Sequence, residues 1–240
     1  MITVAIDSAT DRCTVAATDG ERTAHCMVDG ARQHARAVLG LLASVLDELD
    51  VEPTDVARLV TADGPGSFTG LRVTAAVAKA LSWRRNVAWS VAPSLLARAW
   101  PQMVLAPGGT VVALSDALRG ELYAGAWRIM AGTIERVGPT PRAMVPSGLS
   151  QFGSVAMVIG SVPATLADGV ALATGCVAVT GEAALPDARS LLALADVPGG
   201  VVLVADSATW EPDYGRPAEA QAVWERTFGV ALPIAPGIAR

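Results

Sequence analysis

The run GPGSFTGLR, Gly64 to Arg72, places the tightest limit on how this chain folds. The apolar residues Ala57 to Ala62 before it read as a short buried strand. Gly64, Pro65 and Gly66 then enforce a tight turn, because glycine supplies positive φ and proline fixes its own. Ser67 or Thr69 can cap the next element, a helix carrying Leu71, Ala75, Ala78, Ala80 and Leu81. Gly70 and Arg72 complete the motif, and a helix start with so few bulky side chains exposes backbone N–H groups that suit an anion. The same residues serve equally as a turn that packs a helix on a sheet, so ligand contact and turn geometry both stay open. Known phosphate loops do not fit. Gly64, Gly66 and Gly70 are one residue off the dinucleotide fingerprint, no lysine follows at Walker spacing, and Ser67 is not in a nucleophile elbow.

The rest of the first third has a regular order. Ile2 to Ile6, Cys13 to Ala17 and Thr23 to Val28 read as three strands of a meander, separated by polar turns. His34 to Leu49 is an amphipathic helix with Val38, Leu42, Val45 and Leu49 in one apolar row, widened by Leu39, Leu41 and Leu46. That stripe is broad enough to face both a core and a second protein. With the small residues Ala75 and Ala78 on the next helix, it predicts a contact surface of Val38, Leu42, Val45, Leu49, Ala75 and Ala78. Val87 to Val91 adds a strand, and Arg84-Arg85 suits a helix C-terminus. The order is therefore β-β-β-α-β-α-β, a mixed sheet with helices on it.

Pro101, Pro107, Gly108 and Gly109 predict a boundary. Beyond it, Thr110 to Leu114, a turn from Asp116 to Gly120, Leu122 to Trp127 and Ile134 to Val137 repeat the opening pattern, as a decayed second copy would. Val155 to Ile159 and Val177 to Val179 read as strands, Leu185 to Ala195 as a helix starting near Pro186, and Pro217 to Phe228 as another helix. The chain thus divides into three units: 1–104 with the glycine motif and the contact helices, 105–216 as the degenerate copy, and 217–240 as a helix and tail returning to the first unit.

Composition excludes several functions. Hydrophobic residues make up 52% of the 240 and charged ones 17%. A mean hydropathy of +0.42 points to apolar surface kept for a partner. No apolar run reaches the length of a membrane span. The opening MITVAIDSATDR lacks a basic leader, and three scattered cysteines suit a reducing compartment, which together predict a cytoplasmic protein. A net charge of −5 argues against direct, tight RNA binding. The two histidines, His25 and His34, lack partners at ligand spacing, so no metal site is expected, and no Ser-His-Asp or Cys-His set assembles.

Asp7, followed by Ser8 at the end of the first strand, resembles the first phosphate turn of the actin/Hsp70/sugar-kinase (ASKHA) fold, in which two β-β-β-α-β-α units clamp ATP. The second turn would fall at Ser115-Asp116-Ala117, where Leu118, Arg119 and Glu121 replace the glycines that let backbone approach phosphate. Asp7, Ser8 and Asp116 are thus candidates for a nucleotide-site remnant. A small-molecule kinase or ATPase using Asp7 and Asp116 is the alternative function.

Together AIDSAT with CTVA (Ala5 to Thr10, Cys13 to Ala16), RQHA (Arg32 to Ala35), GPGSFTGLR with AKAL (Ala78 to Leu81), DALRGELYAGAWR (Asp116 to Arg128) and DYGRPAEAQ (Asp213 to Gln221) resemble the TsaB family of tRNA threonylcarbamoyladenosine biosynthesis proteins. Leu118 and Gly215 depart from that pattern, and Pro139 to Gly175 matches poorly. The resemblance implies a two-lobed α/β protein of the ASKHA fold, with mixed sheets and a degenerate second lobe. It implies a non-catalytic scaffold for a TsaD-like homologue that transfers threonylcarbamoyl to the adenosine beside the tRNA anticodon. A TsaE-like ATPase joins them and tRNA is met only through the complex; the apolar helix surface could also serve a homodimer of the isolated chain, and the sequence leaves homodimer and monomer both open. The catalytic homologue binds metal through His-x-x-x-His after the strand that follows the glycine-motif helix. Here that place reads Ala92-Pro93-Ser94-Leu95-Leu96-Ala97, so neither catalytic residue nor metal is expected. No cofactor is assigned to this chain itself, and the resemblance leaves ATP or ADP to the complex. The protease label borne by the wider glycoprotease-like group finds no support in these residues.

Overall fold

The structure, a computed structural model, describes residues 1–30, 34–83 and 87–215. The meander forms as the strand runs and polar turns predict: β1 (Ile2–Asp7), β2 (Arg12–Thr18) and β3 (Thr23–Asp29), each antiparallel to the next. The first helix, α1 (His34–Leu49), crosses to β4 (Val56–Ala62), which runs parallel to β1. Helix α2 (Phe68–Ser82) leads to β5 (Ala88–Ala92), parallel to β4, and then to α3 (Ser94–Leu105).

The second copy repeats this path. Strands β6 (Val111–Asp116), β7 (Leu122–Met130) and β8 (Thr133–Met144) form an antiparallel meander. A 3₁₀ helix (Pro146–Phe152) takes the place of the first crossover helix. Strand β9 (Met157–Gly160) lies parallel to β6, and α4 (Ala164–Thr174) leads to β10 (Ala178–Val179), parallel to β9. The chain then returns to the first sheet. Helix α5 (Ala188–Leu194) packs on β1, β2 and β4, and β11 (Val202–Leu203) pairs antiparallel with β5. Among the described residues the sheets therefore read β11-β5-β4-β1-β2-β3 and β10-β9-β6-β7-β8. Leaving β11 aside, both copies share one strand order.

Three cores hold these layers. The row Val38, Leu42, Val45 and Leu49 of α1 packs on the outer face of the first sheet with Val4, Ile6 and Val15. Leu149, Phe152 and Val170 cover the outer face of the second sheet. Between the sheets lie α3 and α5, whose Leu95, Met103, Leu191 and Leu194 join Ala5, Val60, Val111 and Trp127 in one shared core.

Some elements differ from the sequence reading. Pro101 lies within α3 rather than beyond a helix end. An interior proline costs a helix about 3 kcal/mol; burial of Leu95, Leu96, Ala99 and Met103 offsets that. The third strand of the second copy runs on through Pro139 and Pro141 to Met144, and its register against β7 shifts between Ala124 and Ala126. Helix α5 begins at Ala188, with Asp187 as its cap accepting from the Arg189 N–H at 2.9 Å. The Arg84-Arg85 pair and the helix expected over Pro217 to Phe228 lie outside the described residues.

The start of α5 is tied to the meander by polar groups. The Ala188 N–H donates to Thr14 Oγ1 (3.2 Å), and Thr14 Oγ1 lies 2.8 Å from His25 Nε2. Asp187 Oδ1 is 3.5 Å from the same nitrogen. Burial lowers the His25 pKa below 6.5; Asp187 pulls it up, while Arg189 and Arg12 push it further down. A base whose folded pKa is depressed binds protons more readily when unfolded. Its contribution is complete above pH 6.5 and is lost as pH falls toward the folded value. Urea unfolding of the wild type should therefore show stability falling on acidification below pH 6.5, and His25→Gln should flatten that slope.

Candidate functional site

The glycine motif joins three strand ends. Asp63 N–H donates to Ala92 O at 3.0 Å, and Asp213 N–H donates to Asp63 O at 2.8 Å. Gly64 has φ +113°, and its N–H and C=O both bond Ser94, to Oγ at 3.1 Å and from N at 2.8 Å. A Cβ on Gly64 would overlap the Asp213 carbonyl, and one on Gly66 would overlap the Ala9 carbonyl. That Ala9 oxygen accepts the Ser67 N–H at 2.7 Å. Ser67, not Thr69, caps α2, with its Oγ accepting the Gly70 N–H at 3.3 Å, while Thr69 is exposed. Ser8 Oγ donates to Gly70 O (2.7 Å) and meets Thr74 Oγ1 at 2.5 Å, locking α2 to the end of β1. Arg72 is exposed and lies 5.2 Å above the Phe68 ring, which packs on Tyr214. Close backbone approach therefore accounts for Gly64 and Gly66.

A cleft of about 640 Å³ opens beside this motif, between the ends of the two meanders. Gly66, Ser67, Thr10 and Arg12 line one wall, and Asp116, Leu118 and Ser161 the other. Of the remnant residues, only Asp116 faces it. Asp7 is fully buried, with Oδ1 accepting the Ala9 N–H at 2.9 Å, and Ser8 is nearly as inaccessible. The structure thus corrects the pairing of Asp7 with Asp116 on one ligand surface, because the Asp7 carboxylate turns back on its own turn. Across the cleft, Leu118, Arg119 and Gly120 all take left-handed φ values of +62°, +56° and +79°. Two of these carry side chains where a phosphate turn would use bare backbone. Asp11, Asp29 and Asp116 also line the cleft, and Arg12 is ion-paired to Asp29 and Glu182. This donor set suits a polyphosphate poorly. Among the described residues no group of three or more His, Cys, Asp or Glu could hold a metal ion.

Sequence reasoning missed Arg98. It sits on α3, the helix just after β5, and it is buried, donating from Nη1 to Leu114 O at 2.5 Å. Burial lowers its pKa to about 10, with Asp7 acting in the opposite direction. The signal was its spacing of three from Leu95 on an apolar helix.

The predicted contact residues Val38, Leu42, Val45, Leu49, Ala75 and Ala78 are all buried within the first unit. The mapping is corrected accordingly: the apolar row faces β2 and β3 of its own chain. What α1 and α2 leave outside is a different flank, with Leu39 (59% exposed) and Ala43 on α1 and Ala76 and Ala80 on α2.

A duplicated sheet of this strand order, with its cleft between the copies, defines the two-lobed ASKHA class. Solved structures share it. A Pseudomonas aeruginosa protein described as having similarity to peptidase YEAZ superposes with a TM-score of 0.71 at 23% identity, over 90% of this chain and 99% of that one. YeaZ from Pseudomonas aeruginosa superposes with a TM-score of 0.68 at 22% identity, over 89% and 99%. The family model described as TsaD, tRNA N6-adenosine threonylcarbamoyltransferase, matches residues 28–148. The chain is 30% identical over 125 residues to the tRNA threonylcarbamoyladenosine biosynthesis protein TsaB of Bacillus subtilis, covering 50% of this chain and 52% of that protein. The Escherichia coli protein of the same name is 31% identical over 121 residues, covering 50% and 52%. The chain thus spans about half the length of the curated relatives it matches. It belongs to the TsaB family.

Proposed function

We propose that this chain is a non-catalytic scaffold and activator in tRNA threonylcarbamoyladenosine biosynthesis. It pairs with a TsaD-like catalytic homologue that transfers threonylcarbamoyl to the adenosine beside the anticodon, and it recruits a TsaE-like ATPase. Membership of the TsaB family is the observation that carries this reading. The site residues agree with it. The carboxylate a kinase would use, Asp7, is buried away from the cleft and Arg12 is already paired, which supports leaving any ATP or ADP to the complex. The exposed flank of α1 and α2 is the contact surface for the homologue and, in the isolated chain, for a second copy. Among the described residues no helix is long and apolar enough to cross a membrane.

Reconstitution tests the proposal. With TsaD-like and TsaE-like partners, tRNA and threonylcarbamoyl-adenylate, modified adenosine should form when this chain is present and fall at least tenfold when it is omitted. Equal modification without it removes the scaffold role.

A further inference from the structure

Arg12 presents two binding edges, and both are occupied by carboxylates from different parts of the chain. It stands in register with Asp29 across β2 and β3. Asp29 takes one edge of the guanidinium, with Nε–Oδ1 at 2.7 Å and Nη2–Oδ2 at 2.9 Å. This fork geometry fixes the plane of the group. The other edge reaches Glu182, with Nη1–Oε1 at 2.5 Å and Nη2–Oε2 at 3.2 Å. Glu182 belongs to the crossover that leaves β10 of the second sheet and returns to the first sheet through α5.

The two ends of this bridge differ in exposure. The Arg12 side chain is 7% exposed and braced by the sheet, whereas that of Glu182 is 72% exposed. Gly181, just before it, has φ +77° and open space where a Cβ would stand. Local bonds shape the turn, from Ala184 N–H to Gly181 O (3.0 Å) and from Leu185 N–H to Glu182 O (3.1 Å). Ala184 anchors its far end in the shared core. The position of the bridge matters. The cleft of about 640 Å³ and a neighbouring pocket of about 550 Å³ share Asp116, Ser161 and Leu185. Arg12 lines the first and Glu182 the second, so the bridge ties a residue of one pocket to a residue of the other.

We propose that the Arg12–Glu182 pair is a latch that holds the 180–185 crossover across the interlobe cleft, and that its release joins the two chambers. Glu182 is the moving half and Arg12 the fixed one, because Asp29 keeps the guanidinium in place when Glu182 leaves. This inference concerns how the cleft opens and does not depend on the scaffold role.

Hydrogen–deuterium exchange of the full chain, with Glu182→Ala against wild type, tests it. Loss of the pair should speed exchange of the Ala184 and Leu185 amides about fivefold, the scale of a half-exposed ion pair. Exchange within β2 should stay unchanged. Labelling of Arg12 by phenylglyoxal should rise in the same variant, as the guanidinium edge becomes accessible. Glu135→Ala, which breaks the exposed pair with Arg128, should alter neither reading. A change below twofold at Ala184 and Leu185, an equal rise across β2, or unchanged Arg12 labelling each overturns the latch.

Discussion

Gly64→Ala should lower the thermal midpoint by about 6–12 °C, the shift expected for roughly 3 kcal/mol in a chain of this size. Two costs combine at this position. An L residue at φ +113° is strained, and its Cβ would overlap the Asp213 carbonyl. Neither neighbour can yield easily. Asp213 is held by its N–H bond to Asp63 O, and Gly64 is held at both backbone groups by Ser94. Gly20→Ala separates the two costs, because Gly20 has φ +106° with nothing near its Cβ direction. That variant should lose only the strain component, about 1–2 kcal/mol. Calorimetric scans of both variants measure the difference. Equal shifts would mean that the 213–215 segment gives way, and that the glycine answers to φ alone.

The first unit is legible in the sequence because its elements carry strong local signals. The short apolar runs of β1 and β2 bounded by polar turns, the glycine-proline turn and the row Val38-Leu42-Val45-Leu49 each point to one structure, and the strands and helices form where those signals lie. The second unit is less so. Helix α4 buries only Val170 and Thr174, so its sequence carries no clear amphipathic period, and the Pro146–Phe152 turn is a 3₁₀ helix. At the site, the sequence places Asp7 at a strand end but not the direction of its carboxylate. That direction comes from the Ala9 N–H two residues on and from the core closing around it. Arg12 is invisible as a site residue, because its partner Glu182 comes from a crossover distant in sequence. The apolar face of α1 is plainly wide in the sequence. Which part stays outside depends on where β2 and β3 cover it, and periodicity alone does not fix that.

That division of α1 gives the second large effect. Val38→Asp should unfold the first unit, since Val38 is 1% exposed and belongs to the same apolar cluster as Val15 and Val45, which would set a carboxylate among hydrocarbon side chains. A buried unpaired charge costs about 4 kcal/mol or more, a large fraction of a domain's total stability. Cooperative unfolding by circular dichroism should be lost or shifted far down. Leu39→Asp, one residue on and 59% exposed, should leave the same transition within about 0.5 kcal/mol of wild type. If the flank of α1 meets the TsaD-like partner, Leu39→Asp should weaken that association at least tenfold, the scale of a central apolar contact. Modification in the reconstituted system should fall with it. A folded Val38→Asp protein would place that side chain on the surface after all, and unchanged affinity for Leu39→Asp would move the contact off this flank of α1. The adjacent pair thus separates what holds the chain together from what it offers to another, a distinction that the heptad-like spacing of leucines and valines does not itself contain.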